Sequence, residues 1–345
     1  MKVRWGVIGA GGIARRRTIP EVLRFAEKSE IIALMDVDRE ALSAAAAAFG
    51  IPRVHLTVEE LLREDIDAVY IASPVAFHYT QTKQALEAGK HVLCEKPLAL
   101  RVEEAEELLE LAEKNNLKFG VAFMMRYNVY HERIKEFIDE GKLGQPVFAR
   151  AQLTCFYPPI PGAWRQTKAT GGGGALTDMG CHCVDLLEWF FGETREVFGF
   201  LDTITHTYEV EDTSTVLLKF RNGAQGFVDN FFNVPDEAAR NVLEVYGTKG
   251  AIVAQHTIGQ DPGGEVWCLF LEEEKGYDAL QKRVSSSWQK LELEPKPLYA
   301  REVDAMSAWI LGGEKPRISA EVGLRNMRVL AAIYRSAAEK RAVAV

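Results

Sequence analysis

Cysteine is scarce in this 345-residue chain: Cys94, Cys155, Cys181, Cys183 and Cys268 are five in number, scattered and odd in count. That excludes a disulfide scaffold and leads to an expectation of reduced thiols in a cytoplasmic protein. Cys181, His182 and Cys183 put metal-ligand residue types side by side, yet adjacent helix positions diverge by roughly 100° and cannot converge on one ion, so no metal is expected. Positive charge is not in excess either. Lys plus Arg number 41 against 49 Asp plus Glu, a net charge of −8, which weighs against a nucleic-acid partner and requires any basic group in a site to be local. No apolar run reaches the ~18 residues of a membrane span, so no membrane partner is expected. Lys2 and Arg4 flank an apolar strand that runs straight into glycines, which is not the pattern of a secretory leader. Internal repeats are missing as well.

What is present is a regular alternation. Val3 to Ile8 is apolar and rich in β-branched residues, and Gly9-Ala10-Gly11-Gly12-Ile13-Ala14 follows at once. This is the strand, tight turn and helix start of a dinucleotide fold in its G-x-G-x-x-A form. Gly9 permits the turn, Gly11 lets a diphosphate approach the backbone, Gly12 and Ile13 complete the loop, and Ala14 allows close helix packing. A second apolar run, Ile31 to Met35, ends in Asp36, an acidic residue at the spacing that meets the ribose hydroxyls. Asp36 favours NAD over NADP because it repels a 2′-phosphate. Arg15, Arg16 and Arg17 keep NADP open, although such a run is more often a solvated helix face. Helix and strand patterns then alternate through Asp38 to Phe49, a capping box at Thr57 and Glu60, strands at Ala68 to Ala72, His91 to Cys94 and Lys118 to Phe123, and helices from His78 and Val102. Ser73, Pro74 and His78 follow one strand and Glu95, Lys96 and Pro97 end another, at the edge where ligands sit in a doubly wound sheet. Lys96 there is a candidate working ammonium. Residues 1–123 are read as a dinucleotide-binding Rossmann domain with a parallel sheet.

Beyond Phe123 the rhythm changes. Residues 124–345 read as an α+β domain for substrate binding and oligomerisation: a helix from Asn128 to Glu140, a strand from Val147, then β-like runs at Ser214 to Phe220, Gln225 to Phe232, Val242 to Tyr246 and Val266 to Leu271. Asn222-Gly223 and Lys249-Gly250 are hairpin signals, so the sheet should be mostly antiparallel. Two helices close the chain, Tyr299 to Leu311 and Ala320 to Lys340. Together with the helix that carries Asp178 they are expected to cover one sheet face, leaving the other to pair with a second copy as a homodimer or homotetramer.

One stretch holds polar chemistry where a core helix should have none: GGGGALTDMGCHCVDLLE, Gly171 to Glu188. On a helix beginning near Thr177, Asp178, His182 and Asp185 stand at i, i+4 and i+7 on one face. A carboxylate one turn from an imidazole orients the ring and raises its proton affinity, which describes a general acid/base. By itself an Asp-xxx-His pair is more often a structural contact.

Taken in order, GAGGIA at Gly9, Asp36, Glu95-Lys96-Pro97, MRYN around Arg126, GKLGQPV from Gly141, Trp164-Arg165, the Gly172 to Leu187 stretch and PRISAEVGLRNMRVLAAIYRSA from Pro316 resemble the Gfo/Idh/MocA oxidoreductases. The resemblance implies an NAD(P)-dependent dehydrogenase of CH–OH groups on a sugar, inositol or other polyol. It carries the catalytic group onto Lys96, Asp178 and His182, with His182 as acid/base, and implies a cis Lys96-Pro97 bond. Asp185, Tyr157, Trp164 and Arg165 are candidate sugar contacts beside Lys96, Asp178 and His182. Val75 departs from the pattern, since many members have Asn there. Two other readings stay open: an NADPH-dependent reductase of an aldose or dicarbonyl, and a dinucleotide-binding regulator without turnover.

Overall fold

A computed structural model describes residues 1–272, 277, 279–280 and 287–345. Six parallel strands form the first sheet: β1 (Val3–Ile8), β2 (Ser29–Met35), β3 (Arg53–His55), β4 (Ala68–Ile71), β5 (His91–Glu95) and β6 (Phe119–Ala122). Their order is β3-β2-β1-β4-β5-β6. β4 and β6 are buried at every residue, because helices cover both sides of a parallel sheet and leave no solvent face. β3 is the strand that the sequence pattern missed. It is three residues long, lies at the sheet edge and has two exposed positions, so it carries no apolar signature. The strand order reverses between β1 and β4, and the crevice beyond the carboxyl ends of those strands is where such sheets take ligands.

A second sheet of nine strands follows: β7 (Pro146–Gln152), β8 (Thr194–Asp202), β9 (Thr213–Phe220), β10 (Gln225–Phe231), β11 (Val242–Gly247), β12 (Gly250–Gln255), β13 (Glu265–Phe270), β14 (Gln289–Leu291) and β15 (Val343–Ala344). It is antiparallel except for the β7–β10 pair. Both hairpin signals fall on turns: Asn222 Oδ1 accepts the Ala224 N–H between β9 and β10, and Thr248-Lys249 joins β11 to β12. Alternation along β9 buries Ser214, Val216, Leu218 and Phe220 while its other face looks outward.

The Cys181–Phe191 and Ala320–Glu339 helices cover the inner face. The Leu298–Ile310 helix does not join them. It returns to the first lobe and packs on β2 and β5, because its polar partners are there: Glu21 accepts the Tyr299 and Ala300 N–H groups, Trp5 donates to Ser307 at 2.9 Å, and Asp304 caps Glu27 to Ser29. Those buried and capping bonds outweigh the expectation of three helices on one sheet.

Candidate active site

The first wall of the site is the turn after β1. Gly9 has φ +87°, and a Cβ there would lie 2.7 Å from the Ser73 nitrogen, so glycine alone allows the β1 and β4 turns to touch. A Cβ on Gly11 would meet no protein atom closer than Asp36 at 3.9 Å, and one on Gly12 would meet none within 4 Å. That open ground above backbone amides, with Asp36 at its rim, fits the diphosphate and ribose of a dinucleotide. The helix that starts at Gly12 and Ile13 widens at once into a π turn, Ala14–Thr18.

The second wall is the end of β5. His78 is buried with its ring nitrogens 2.7 Å from the Pro97 carbonyl and 2.8 Å from the Ser73 carbonyl, and so staples the two turns together. Lys96-Pro97 is cis. Thr18 donates to Tyr70, whose hydroxyl donates to Glu95 at 2.6 Å, and the Lys96 N–H also meets Glu95. Burial pushes the Glu95 carboxyl up, against Tyr70 and Lys96. Lys96 is thus aimed by its neighbours and reaches across to the second lobe, donating to the Asp178 carbonyl at 2.7 Å and to its Oδ1 at 2.9 Å. An ammonium has three donors, so one remains.

Asp178 belongs to the third wall, and the glycines explain its position. Gly174 lies so close to Glu211 that a Cβ would come within 1.9 Å of the Glu211 carbonyl oxygen. Glu211 Oε1 accepts the N–H groups of Gly174 and Leu176 and the Tyr334 hydroxyl, which anchors the helix start. Its first turn, Leu176–Gly180, is π rather than α, and only from Cys181 does a regular helix run. Asp178 and His182 both line the cavity, and Asp185 does not join them. Asp178 faces Lys96 and Arg165, the latter donating at 3.3 Å. Asp185, 3% exposed, takes a bidentate pair from Arg126 and does not line the cavity.

Electrostatics follow from this pairing. Burial pushes the Asp178 carboxyl up, but Lys96 and Arg165 outweigh it and hold the group well below the usual carboxylate range. For Lys96 burial is the largest influence and acts downward, but Asp178, Cys181 and Glu95 together outweigh it and raise the pKa, so the ammonium persists. His182 has no such rescue. Burial, then Lys96, drive its pKa well below 6.5 although Asp178 opposes, so the ring is neutral at pH 7. Its Nδ1 is buried without a hydrogen-bond partner, leaving Nε2 open, and Phe123 stands edge-on at 5.8 Å.

These walls enclose one cavity of about 550 Å³ between the lobes, lined by Gly9, Gly11, Gly12, Ile13, Asp36, Ser73, Pro74, His78, Glu95, Lys96, Trp164, Arg165, Asp178 and His182. Val75, the departure from the family pattern, also lines it. Tyr157 is not itself among the lining residues, but its hydroxyl stands beside Arg165, which is, and feels the Asp178 charge. Its ring packs on Phe232 at 5.2 Å and its carbonyl accepts the Tyr208 hydroxyl. Sequence reasoning missed Tyr299, Gly259 and Gln260, which line the cavity from segments with no motif of their own. Among the described residues no His, Cys, Asp and Glu cluster could hold a metal.

A crevice in which this cradle meets the Lys96 ammonium and the neutral His182 imidazole belongs to an NAD(P)-dependent oxidoreductase acting on CH–OH groups. Residues 3–123 match the NAD-binding Rossmann fold of an oxidoreductase family, and residues 131–253 match the GFO/IDH/MocA C-terminal domain. The chain is 30% identical over 345 residues to 1,5-anhydro-D-fructose reductase of Ensifer adhaerens, covering 99% of this chain and 98% of that one. Aldose-aldose oxidoreductase of Caulobacter crescentus, solved with glycerol, superposes with a TM-score of 0.87 at 26% identity over 100% of both chains. The WlbA dehydrogenase of Chromobacterium violaceum, solved with NADH and UDP-GlcNAcA, gives 0.84 at 27% over 100% of this chain and 96% of that one. The chain belongs to the Gfo/Idh/MocA family.

Proposed function

We propose that the protein moves a hydride between NAD and a carbinol carbon of a sugar or related polyol, with His182 as acid/base and Lys96 steadying the alkoxide. The observation that carries this reading is that an ammonium from the first lobe and a neutral imidazole from the second line the same cavity as the dinucleotide cradle. When bound, the nicotinamide accepts or returns the hydride. His182 Nε2 takes the hydroxyl proton in oxidation and gives it back in reduction. The remaining Lys96 N–H lies against the developing charge, where a partly dehydrated cleft strengthens the contact. Asp178 keeps Lys96 charged and, with Arg165, fixes its direction. Trp164, under the Arg165 guanidinium at 4.1 Å, offers an apolar face to a sugar ring. Relatives named for sugar substrates support the substrate class. A screen of sugars and polyols with NAD⁺ and NADP⁺, followed by nicotinamide absorbance, tests the reading. Tight NADH binding with no turnover on any compound would instead favour a regulator.

Asp36 on the cavity rim supports NAD over NADP. Arg16, on the same wall, is the feature that favours the alternative. Like charges a few ångströms apart near a surface repel by on the order of 4 kcal/mol before screening. Asp36→Ala is therefore expected to raise the NADP⁺/NAD⁺ ratio of kcat/KM at least about tenfold, and an unchanged ratio in steady-state assays would remove Asp36 from cofactor choice.

The outer face of the second sheet supports self-association. Phe200, Leu217 and Trp267 are 62%, 52% and 39% exposed on it, and registered pairs Phe198–Leu217 and Leu217–Phe227 extend the apolar surface across strands. Sedimentation velocity at micromolar protein is expected to show a dimer or tetramer, and Leu217→Lys a smaller species. A wild-type monomer would overturn this.

A further inference from the structure

The turn between β12 and β13 crosses from the second lobe to the first. Its base is fixed: Thr257 and Ile258 are buried, and the fully buried Asn128 amide donates to the carbonyls of Thr257 and Pro262 at 3.3 and 3.4 Å. Its tip is not. Gly259, with φ +150°, and Gln260 line the dinucleotide cavity, and Asp261 pairs with Arg17 of the other lobe at 2.7 Å. Arg17 lies in the π turn that follows the glycine fingerprint, so the tip stands over the part of the cavity bounded by Gly12, Ile13 and Arg16. Among the described residues the Gln260 side chain makes no hydrogen bond, although it lies on a cavity wall. A free carboxamide opposite exposed backbone amides is chemically suited to an anionic diphosphate and its adjoining ribose, since it can donate to oxygen.

We infer that Gln260 is a cofactor-contacting residue supplied by the substrate lobe, and that the Arg17–Asp261 pair is the latch that holds its strap across the diphosphate. The latch is exposed, at 33% and 80% for the two side chains, and exposed pairs are weak. A weak closure on a rigid base suits a ligand that must enter and leave, because opening costs little and the strap returns to the same place. The inference rests on the dinucleotide-binding reading. It adds that the second lobe senses the cofactor directly, before any sugar binds.

The test is NADH titration by fluorescence without substrate, on the full-length protein. Wild-type binding checks the dinucleotide reading, and the differences among variants check the strap. Gln260→Ala is expected to raise the NADH Kd about tenfold, with the same loss for ADP-ribose and none for AMP, which lacks the diphosphate. Asp261→Arg should weaken NADH binding by a smaller factor, and the double variant Arg17→Asp with Asp261→Arg should restore it. An unchanged Kd in Gln260→Ala, or equal losses for AMP and ADP-ribose, overturns the contact. Failure of the charge swap to restore binding overturns the latch, and wild-type protein that binds no NADH overturns the whole inference. Unaltered thermal unfolding of each variant separates a lost contact from a damaged fold.

Discussion

Replacing Lys96 with methionine is expected to lower kcat for alcohol oxidation by about 10² to 10³, the range for removing one preorganised donor from a developing oxyanion. The methionine stem keeps the packing, so the loss reports charge. A second consequence follows from the electrostatics. Lys96 is, after burial, what keeps the His182 pKa down, and it opposes protonation of the ring across the cleft. Without it the acid limb of the pH profile should move to higher pH. Lys96→Arg should not restore turnover, because a planar fork cannot reproduce a compact ammonium held by Asp178 on one side and free on the other. Wild-type kcat in Lys96→Met, measured with an active substrate under saturating cofactor, would remove the lysine from the chemistry.

His182→Ala should be at least as severe, a loss of about 10² to 10⁴ in kcat for a positioned base. In the proposed mechanism the ring acts as base in its neutral form, and its pKa lies well below 6.5. Oxidation should therefore stay on a plateau as pH falls through 6.5 and decline only below the lowered value. Stability follows the same sign. The unfolded ring takes up a proton near pH 6.5 while the folded one does not, so between those two values the unfolded state binds more protons and stability falls as pH is lowered. A profile in which kcat/KM already halves near pH 6.5 would show that His182 titrates as an ordinary surface histidine.

Much of this was legible in the residues. The parallel lobe announced itself because fully buried strands leave continuous apolar runs and because the glycine fingerprint from Gly9 follows the first of them at once. The Lys96 and Asp178 contact came only through resemblance, since nothing local connects a strand end with a helix 82 residues later. Asp185 misled because helical spacing puts it near His182 but carries no sign of Arg126, which takes its carboxylate away from the cavity. Tyr157 was grouped with Trp164 and Arg165 by proximity in sequence, and its hydroxyl does stand beside Arg165, while the packing of its ring on Phe232 had no signal in the sequence. Gln260 was invisible: its role depends on where a hairpin tip lands in another lobe, which no period in the chain encodes.

The π turn at Leu176–Gly180 has a consequence for how this site can change. A helix of that kind is an ordinary one that has accepted a surplus residue, so the aim of the Asp178 carboxylate is written in chain length rather than in side-chain identity. Point substitutions in the turn leave the count intact. A one-residue deletion there would relax the coil to its commonplace pitch, swing everything before it by roughly 100° and part the carboxylate from its ammonium, with the Cys181–Phe191 segment undisturbed.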